Sequence, residues 1–322
     1  IDQGRSLTIE NADFQMSNYL RNGFSYVSYR TERPAIESQA VRQALAHCLD
    51  TDTFVSSYVN NYGMRVYGYY GIGQWMTMAA MGTLKFEDIT EVQEAKLKTL
   101  TLDKLNHYDI DLDKALDLLV KDGWTRNADG RAFDPDNDTV RYKYMGGKLV
   151  PLSFTFGLTI DNVAAAAVLK QLQENFVPLG AEIIVCEDTY NNILIDYLRE
   201  NGERKYDLSF LAYNFNSIFD PYIEMYGKWD GTGTQNAAGL YDATLVNLCW
   251  TLHKTPRGDL LDWLERWIAF EERYNQLLPS IPLYSDMYYD FYPKALKNYH
   301  PEGEANWPRA LLEATLTESA DK

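Results

Sequence analysis

The chain has 322 residues, 46 of them acidic and 30 basic, for a formal net charge of −16. Such a surface repels phosphate backbones and anionic lipid, which argues against a nucleic-acid partner and against docking on a charged membrane. Its length suggests about two domains, its 46% hydrophobic content allows a sizeable core, and no run approaches the ~20 apolar residues of a spanning helix. No leader is read at Ile1, so the chain reads as a mature or partial piece of a protein.

The spacing predicts alternating strands and helices. Residues 24–29 read as a strand, and Glu37 or Ser38 opens a helix to Leu49 with Val41, Ala44, Leu45 and Cys48 on one face. Residues 71–102 give a weaker signal. Met76, Met78 and Met81 either line an adaptable surface or fill core, and residues 87–98 look like an exposed charged helix. A helix over 113–122 carries Leu116, Leu119 and Val120, with Gly123 placed for a left-handed cap before Trp124. Asp134, Asp136 and Asp138 alternate as in a calcium loop, but Thr139 and Met145 stand where that loop needs Gly and Glu, so a solvated hairpin tip between Arg131 and Tyr144 is expected.

Leu152, Phe154, Phe156 and Leu158 alternate with small or polar residues, the period of a half-buried strand. Asp161 or Asn162 starts a helix through Leu172, and Pro178 and Gly180 break the chain before a strand over 183–186. A helix near 191–200, a strand over 208–212, helices over 242–253 and 259–278, and a strand over 281–284 after Pro279 complete the reading. The three cysteines, Cys48, Cys186 and Cys249, form no C-x-x-C pair and read as small buried hydrophobes.

Catalytic signatures are missing. The four histidines, His47, His107, His253 and His300, form no H-E-x-x-H pair, and there is no G-x-S-x-G elbow or phosphate-binding loop. The reading is therefore of a non-enzyme with no cofactor and no metal. The best functional segment is the strand end Tyr213-Asn214-Phe215-Asn216 with the turn Phe219-Asp220-Pro221, which projects polar and aromatic groups beyond a sheet. Asp220, before Pro, also suits a plain turn. Arg30 is either a clamp for a carboxylate or a salt-bridge partner, and Arg42 reads as an organiser of structure. Tyr67, Tyr69, Tyr70 and Trp75 can reach the same region, although 24 tyrosines make packing their default role.

Tyr29-Arg30-Thr31-Glu32-Arg33-Pro34, followed by Val41-Arg42-Gln43-Ala44-Leu45 and Asp50, resembles the signature of the extracytoplasmic solute-binding proteins of ABC transporters, the family that carries peptides, nickel and some oligosaccharides. Gly123-Trp124 with Asp129-Gly130, Tyr206-Asp207, and Pro279 to Tyr284 extend the resemblance in order. It implies an α/β fold, a mixed sheet with flanking helices, forming one lobe of a two-lobed periplasmic-binding-protein-like fold of type II, cluster C. Residues 1–285 are then the C-terminal lobe, and residues 286–322 return toward an N-terminal lobe that is mostly absent. It further implies capture of a small solute, peptide first and oligosaccharide or metal chelate next, for delivery to ABC permease subunits, outside the cytoplasm and with a lipid anchor. The alternative is a sensory or scaffolding module contacting a protein partner.

In the family the stretch matching Tyr213, Asn214, Phe215, Asn216 and Asp220 lines the ligand cleft, with an aromatic ring at Tyr213 and, in peptide binders, a carboxylate for the ligand's amino terminus. That carboxylate position falls near Asn216 or Ser217, neither of which is charged, and Arg30 stands where the family usually has Asn.

Overall fold

The structure is a computed structural model and describes residues 14–59, 62–87, 89–199, 203–216, 218–226, 236–256, 258–301 and 307–317. Its strands are β1 Phe14–Leu20, β2 Gly23–Tyr29, β3 Gly63–Arg65, β4 Tyr142–Met145, β5 Lys148–Pro151, β6 Ser153–Thr159, β7 Glu182–Asp188, β8 Leu208–Asn214, β9 Ser280–Pro293, β10 Leu296–Lys297 and β11 Thr315–Leu316. Seven of them form one mixed sheet in the order β1-β9-β2-β8-β6-β7, with β3 also on β9. Strand β6 runs parallel to β7 and β8, whereas β2 is antiparallel to β8 and β9.

The helices are α1 Pro34–Glu37, α2 Gln39–Ala46, α3 Thr51–Tyr58, α4 Trp75–Ala80, α5 Glu91–Leu97, α6 Leu112–Lys121, α7 Val163–Asn175, α8 Tyr190–Tyr197, α9 Tyr222–Met225, α10 Ala243–His253, α11 Leu260–Leu277 and α12 Trp307–Glu313. Side-chain caps explain many of their starts: Asp50, Asp111, Asn162, Thr189, Asp242 and Asp259 each accept an amide from the first turn. Asp50, the residue after the expected end of the preceding helix at Leu49, opens α3. Ser38 precedes α2, but its hydroxyl turns to Asp122 Oδ2 at 2.6 Å, an oxygen that Trp124 Nε1 and Lys143 Nζ also approach. Gly123 takes the left-handed conformation at φ +95° and lets Trp124 fold under α6, where it is fully buried. The charged helix is shorter than expected, α5, and none of its residues is buried.

Alternation along the strands divides the core. Leu208 and Phe210 of β8 join Val27, Phe154, Phe156 and Leu172 on one side of the sheet, with α2, α3, α6 and α7. Leu211 and Tyr213 face Phe24, Tyr26, Tyr69, Trp267 and Tyr274 on the other, with α4, α10 and α11. Cys48 and Cys249 are buried as expected, and Cys186 is half-buried; all three are free thiols. Met76 is core, while Met81 is exposed.

Two expectations change. The turn at Asp134 and Asp138 is closed by their own side chains, and the hairpin lies further on, β4 to β5 around Gly146 and Gly147. Strand β9 is also far longer than the four residues expected. Its first part, 280–284, pairs with β2 inside the sheet, and 287–293 pair with β1 as a two-stranded ribbon beyond it. No described helix is long and apolar enough to cross a membrane.

Candidate functional site

The end of β8 meets the foot of this ribbon. Tyr213 and Asn214 stand opposite Phe24 and Gly23. The approach is so close that a Cβ on Gly23 would lie 2.1 Å from the Tyr213 carbonyl oxygen, which makes glycine obligatory there. Arg21, 8% exposed, holds the junction. Its guanidinium donates to Asn214 Oδ1 at 2.8 Å and to Asp286 Oδ1 at 3.0 Å, so one side chain joins β8 to the midpoint of β9.

Phe215 is fixed by two hydrogen bonds with Asn22, its amide donating to the Asn22 carbonyl and Asn22 Nδ2 donating back. Its ring stacks on Phe24 at 5.8 Å and meets Tyr69 edge-on at 4.9 Å, so it packs within the aromatic core. Asn216 lies beyond the strand and is exposed. Ser217 is outside the described residues. Asp220 caps the turn into α9 by accepting the Tyr222 amide, and it pairs with His253 Nδ1 at 2.6 Å on a partly exposed surface. Arg30 lies at the opposite end of β2, following Tyr29, which stands opposite Leu208. It is buried, bonded to Glu32 at 2.9 Å and to the Tyr206 carbonyl at 3.0 Å. The structure therefore groups Tyr213, Asn214 and Phe215, holds Arg30 in a local ion pair at the other end of β2, and pairs Asp220 with His253.

Sequence reasoning missed the residue at the centre of this group. The single turn α9, started after Pro221, turns Glu224 onto the hydroxyls of Tyr213 and Tyr69, each of which donates to one of its oxygens. Burial raises the Glu224 carboxyl above its ordinary range. The two hydroxyls pull it back in part, and the like charge of Asp220 pushes it further up. Burial, and then the charge of Glu224, raise both tyrosines as well. The Tyr69 amide donates to Glu271 Oε2 at 2.6 Å, and Glu271, fully buried, is pushed well above the carboxylate range by desolvation. The signal that could have found Glu224 is a lone carboxylate between Ile223 and Met225, one turn after Asp-Pro.

These residues border a cavity of about 510 Å³ lined by Tyr26, Tyr69, Tyr197, Tyr213, Tyr274 and Glu224 among others, with Asn214 at its edge. A second concavity of about 580 Å³ lies at the ribbon's foot, against Tyr58, Tyr62, Asp286 and Tyr289. The first combines ring surfaces with a half-buried acid, the composition of a binding pocket rather than a packing fault. Among the described residues, no three His, Cys, Asp or Glu side chains converge as a metal site would.

Residues 3–236 match the family described as bacterial extracellular solute-binding proteins, family 5 Middle. The curated proteins gave no match. Similar solved structures include the oligopeptide-binding protein AppA from Bacillus subtilis in complex with a nonapeptide, at 16% identity and a TM-score of 0.71 over 96% of this chain and 53% of that one. The oligopeptide-binding protein from Thermus thermophilus with a pentapeptide gives 15%, 0.66, 96% and 50% in the same terms. NikZ from Campylobacter jejuni in complex with Ni(L-His) gives 15%, 0.64, 95% and 54%. The chain thus spans about half the length of these structures, and at such identities the likeness shows the fold alone. On the family match, covering more than half of its residues, the chain belongs to the family 5 bacterial extracellular solute-binding proteins.

Proposed function

We propose that this chain supplies one lobe of an extracytoplasmic binding component of an ABC importer, a carrier and not a catalyst. It takes a peptide or similar small solute between two lobes and hands it to permease subunits. The observation that carries this is the junction at Arg21, where the cavity-lining end of β8 meets the ribbon that leaves the sheet. Ligand contacts that differ between open and closed lobes are what stabilise closure, and a hinge ribbon beside a pocket is where such contacts belong. Tyr213 and Asn214 serve as contacts, Phe215 as their support, and Asn216 as an exposed amide facing the cleft.

The lobe boundary then falls across Arg21 and Asp286, inside β9. This puts β1 with residues 287–293, to which it is paired, rather than with the residues before 286. The test is native mass spectrometry of the full-length parent purified from its own cells. A ladder of peptide masses, or one discrete sugar or chelate mass, is the expected result; a parent that carries and binds no solute overturns the reading. A second expectation follows: affinity for the solute is far lower for this chain than for the parent, and equal affinities in calorimetry would contradict it.

A further inference from the structure

The sheet ends on β7, which pairs with β6 alone. Its even-numbered residues spend their backbone groups on that neighbour. The Glu182 amide donates to the Leu152 carbonyl at 2.9 Å, and the Asp188 carbonyl accepts from the Ile160 amide at 3.0 Å. Backbone groups of alternate residues turn the other way, so the N–H and C=O of Ile183, Val185 and Glu187 point out of the sheet. Among the described residues no other segment bonds to them. The edge is apolar in its middle, with Ile184 49% and Val185 37% exposed, and acidic toward its ends, at Glu182, Glu187 and Asp188. Open edges are usually blunted with charge, because they template the addition of another strand. Here the charges flank the apolar middle without covering it, and their positions decide which strand fits.

We infer that β7 pairs with the β7 of a second copy of this chain, antiparallel about a two-fold axis through Ile184. In that register Ile184 faces its own copy, and Ile183 faces Val185 in hydrogen-bonded pairs on either side, so the apolar stretch meets itself whole. Glu182 then falls opposite Cys186, Glu187 opposite Ala181 and Asp188 opposite Gly180, and no two carboxylates meet. Moving the axis to Val185 sets Glu182 against Asp188 and Ile183 against Glu187; moving it to Ile183 sets Glu182 against Ile184. Like charges directly opposite are destabilising, and an apolar side chain opposite a charge loses its contact. The strand is thus self-complementary in the register centred on Ile184, as a two-fold interface requires. Cys186, on the same face of β7 as Ile184, joins the core to which α8 belongs, and Ile195 and Leu198 of α8 add exposed apolar side chains on that side. The pairing joins two copies through one continuous sheet. Because it is antiparallel, the β8 ends of the two copies lie at opposite ends of that sheet. The inference stands apart from the transport reading.

The test is sedimentation equilibrium of the full-length protein over a concentration series. The expected result is a reversible monomer–dimer equilibrium that strengthens as salt is raised, because the 322 residues of each copy carry a net charge of −16 and screening relieves their repulsion. Ile184→Lys, which sets two ammonium groups face to face at an exposed position, should weaken the dimer by about tenfold or more and leave the circular dichroism unchanged. Ile184→Cys should form an intermolecular disulfide when diamide is added as oxidant, since facing residues of a non-hydrogen-bonded pair have Cα atoms about 4.5 Å apart, within disulfide reach. Val185→Cys, whose partner is Ile183, should form none, and neither should the wild type, whose Cys186 faces Glu182. A monomer at every concentration overturns the inference. So does a dimer that salt dissolves, that ignores Ile184→Lys, or that crosslinks equally through both introduced cysteines. The first two of these results are read on the wild type and do not depend on any variant folding.

Discussion

On one side of the sheet Val27, Phe154, Phe156, Leu172 and Trp124 close a dense core in which aliphatic side chains and aromatic rings outnumber the hydroxyls of Tyr29 and Tyr284. On the other, Tyr26, Tyr69, Tyr70, Tyr206 and Tyr274 are buried with the Glu271 carboxyl, and Glu224 is half-buried, around an open cavity. Both sides rest on the same strands, so the difference is not one of backbone. The first side is arranged for density, and a deeply buried ion there is spent on structure: Arg42, 3% exposed, donates to the carbonyls of Ile36, Glu37, Leu277 and Leu278. The second side keeps carboxyls and open space among its rings, which cost stability and are retained where a site needs them.

Substitutions can break this contrast. Trp124→Ala, on the dense side, should cost about 3–5 kcal/mol in denaturant unfolding, and a loss below 1 kcal/mol would show that side to be loosely packed. Arg42→Lys should cost about 2–3 kcal/mol, since an ammonium cannot span four carbonyls; a loss below 1 kcal/mol would show that the four bonds are dispensable. Glu271→Gln tests the other side by pH. Because its carboxyl is raised in the folded state, the wild type is most stable where Glu271 is protonated and loses that stability as pH rises from the ordinary carboxylate range toward the raised value. The stability gap between variant and wild type should therefore widen in the variant's favour with pH, by at most about 1.4 kcal/mol per unit. A gap that does not change with pH would mean that Glu271 titrates normally. Asp220→Asn, which can keep the cap on the Tyr222 amide and weakens the partly exposed pair with His253, should cost about 0.2–1 kcal/mol; a larger loss would make Asp220 part of the buried network.

The contrast also explains what was legible in the sequence. Elements with one face in the dense core announced themselves: Leu152 to Leu158 alternate cleanly, and Gly123-Trp124 marks its cap. The ribbon did not, because residues 287–293 and β1 are half-buried or exposed on both faces, and the period of two fades when neither face is core. Helix α3 was hidden by its own start, since Asp50 reads equally as the end of the preceding helix. At the site, Tyr213 and Asn214 could be read from a strand ending in polar and aromatic groups. Glu224 could not, being one of 46 acidic residues and set among Tyr69, Tyr213 and Tyr274, which come from three distant segments. Arg30 illustrates the converse. Its charge invites a ligand role, yet Glu32, two residues on, already occupies it.

Strand β9 passes from the sheet into the ribbon without a break. A seven-residue flexible linker would leave its far end wandering over a root-mean-square span of about 15 Å in any direction. A paired ribbon of the same length holds that end about 23 Å out along one line. What it carries is then presented at one place and one angle, and its local concentration at the cavity is set by the twist of two strands rather than by diffusion on a tether.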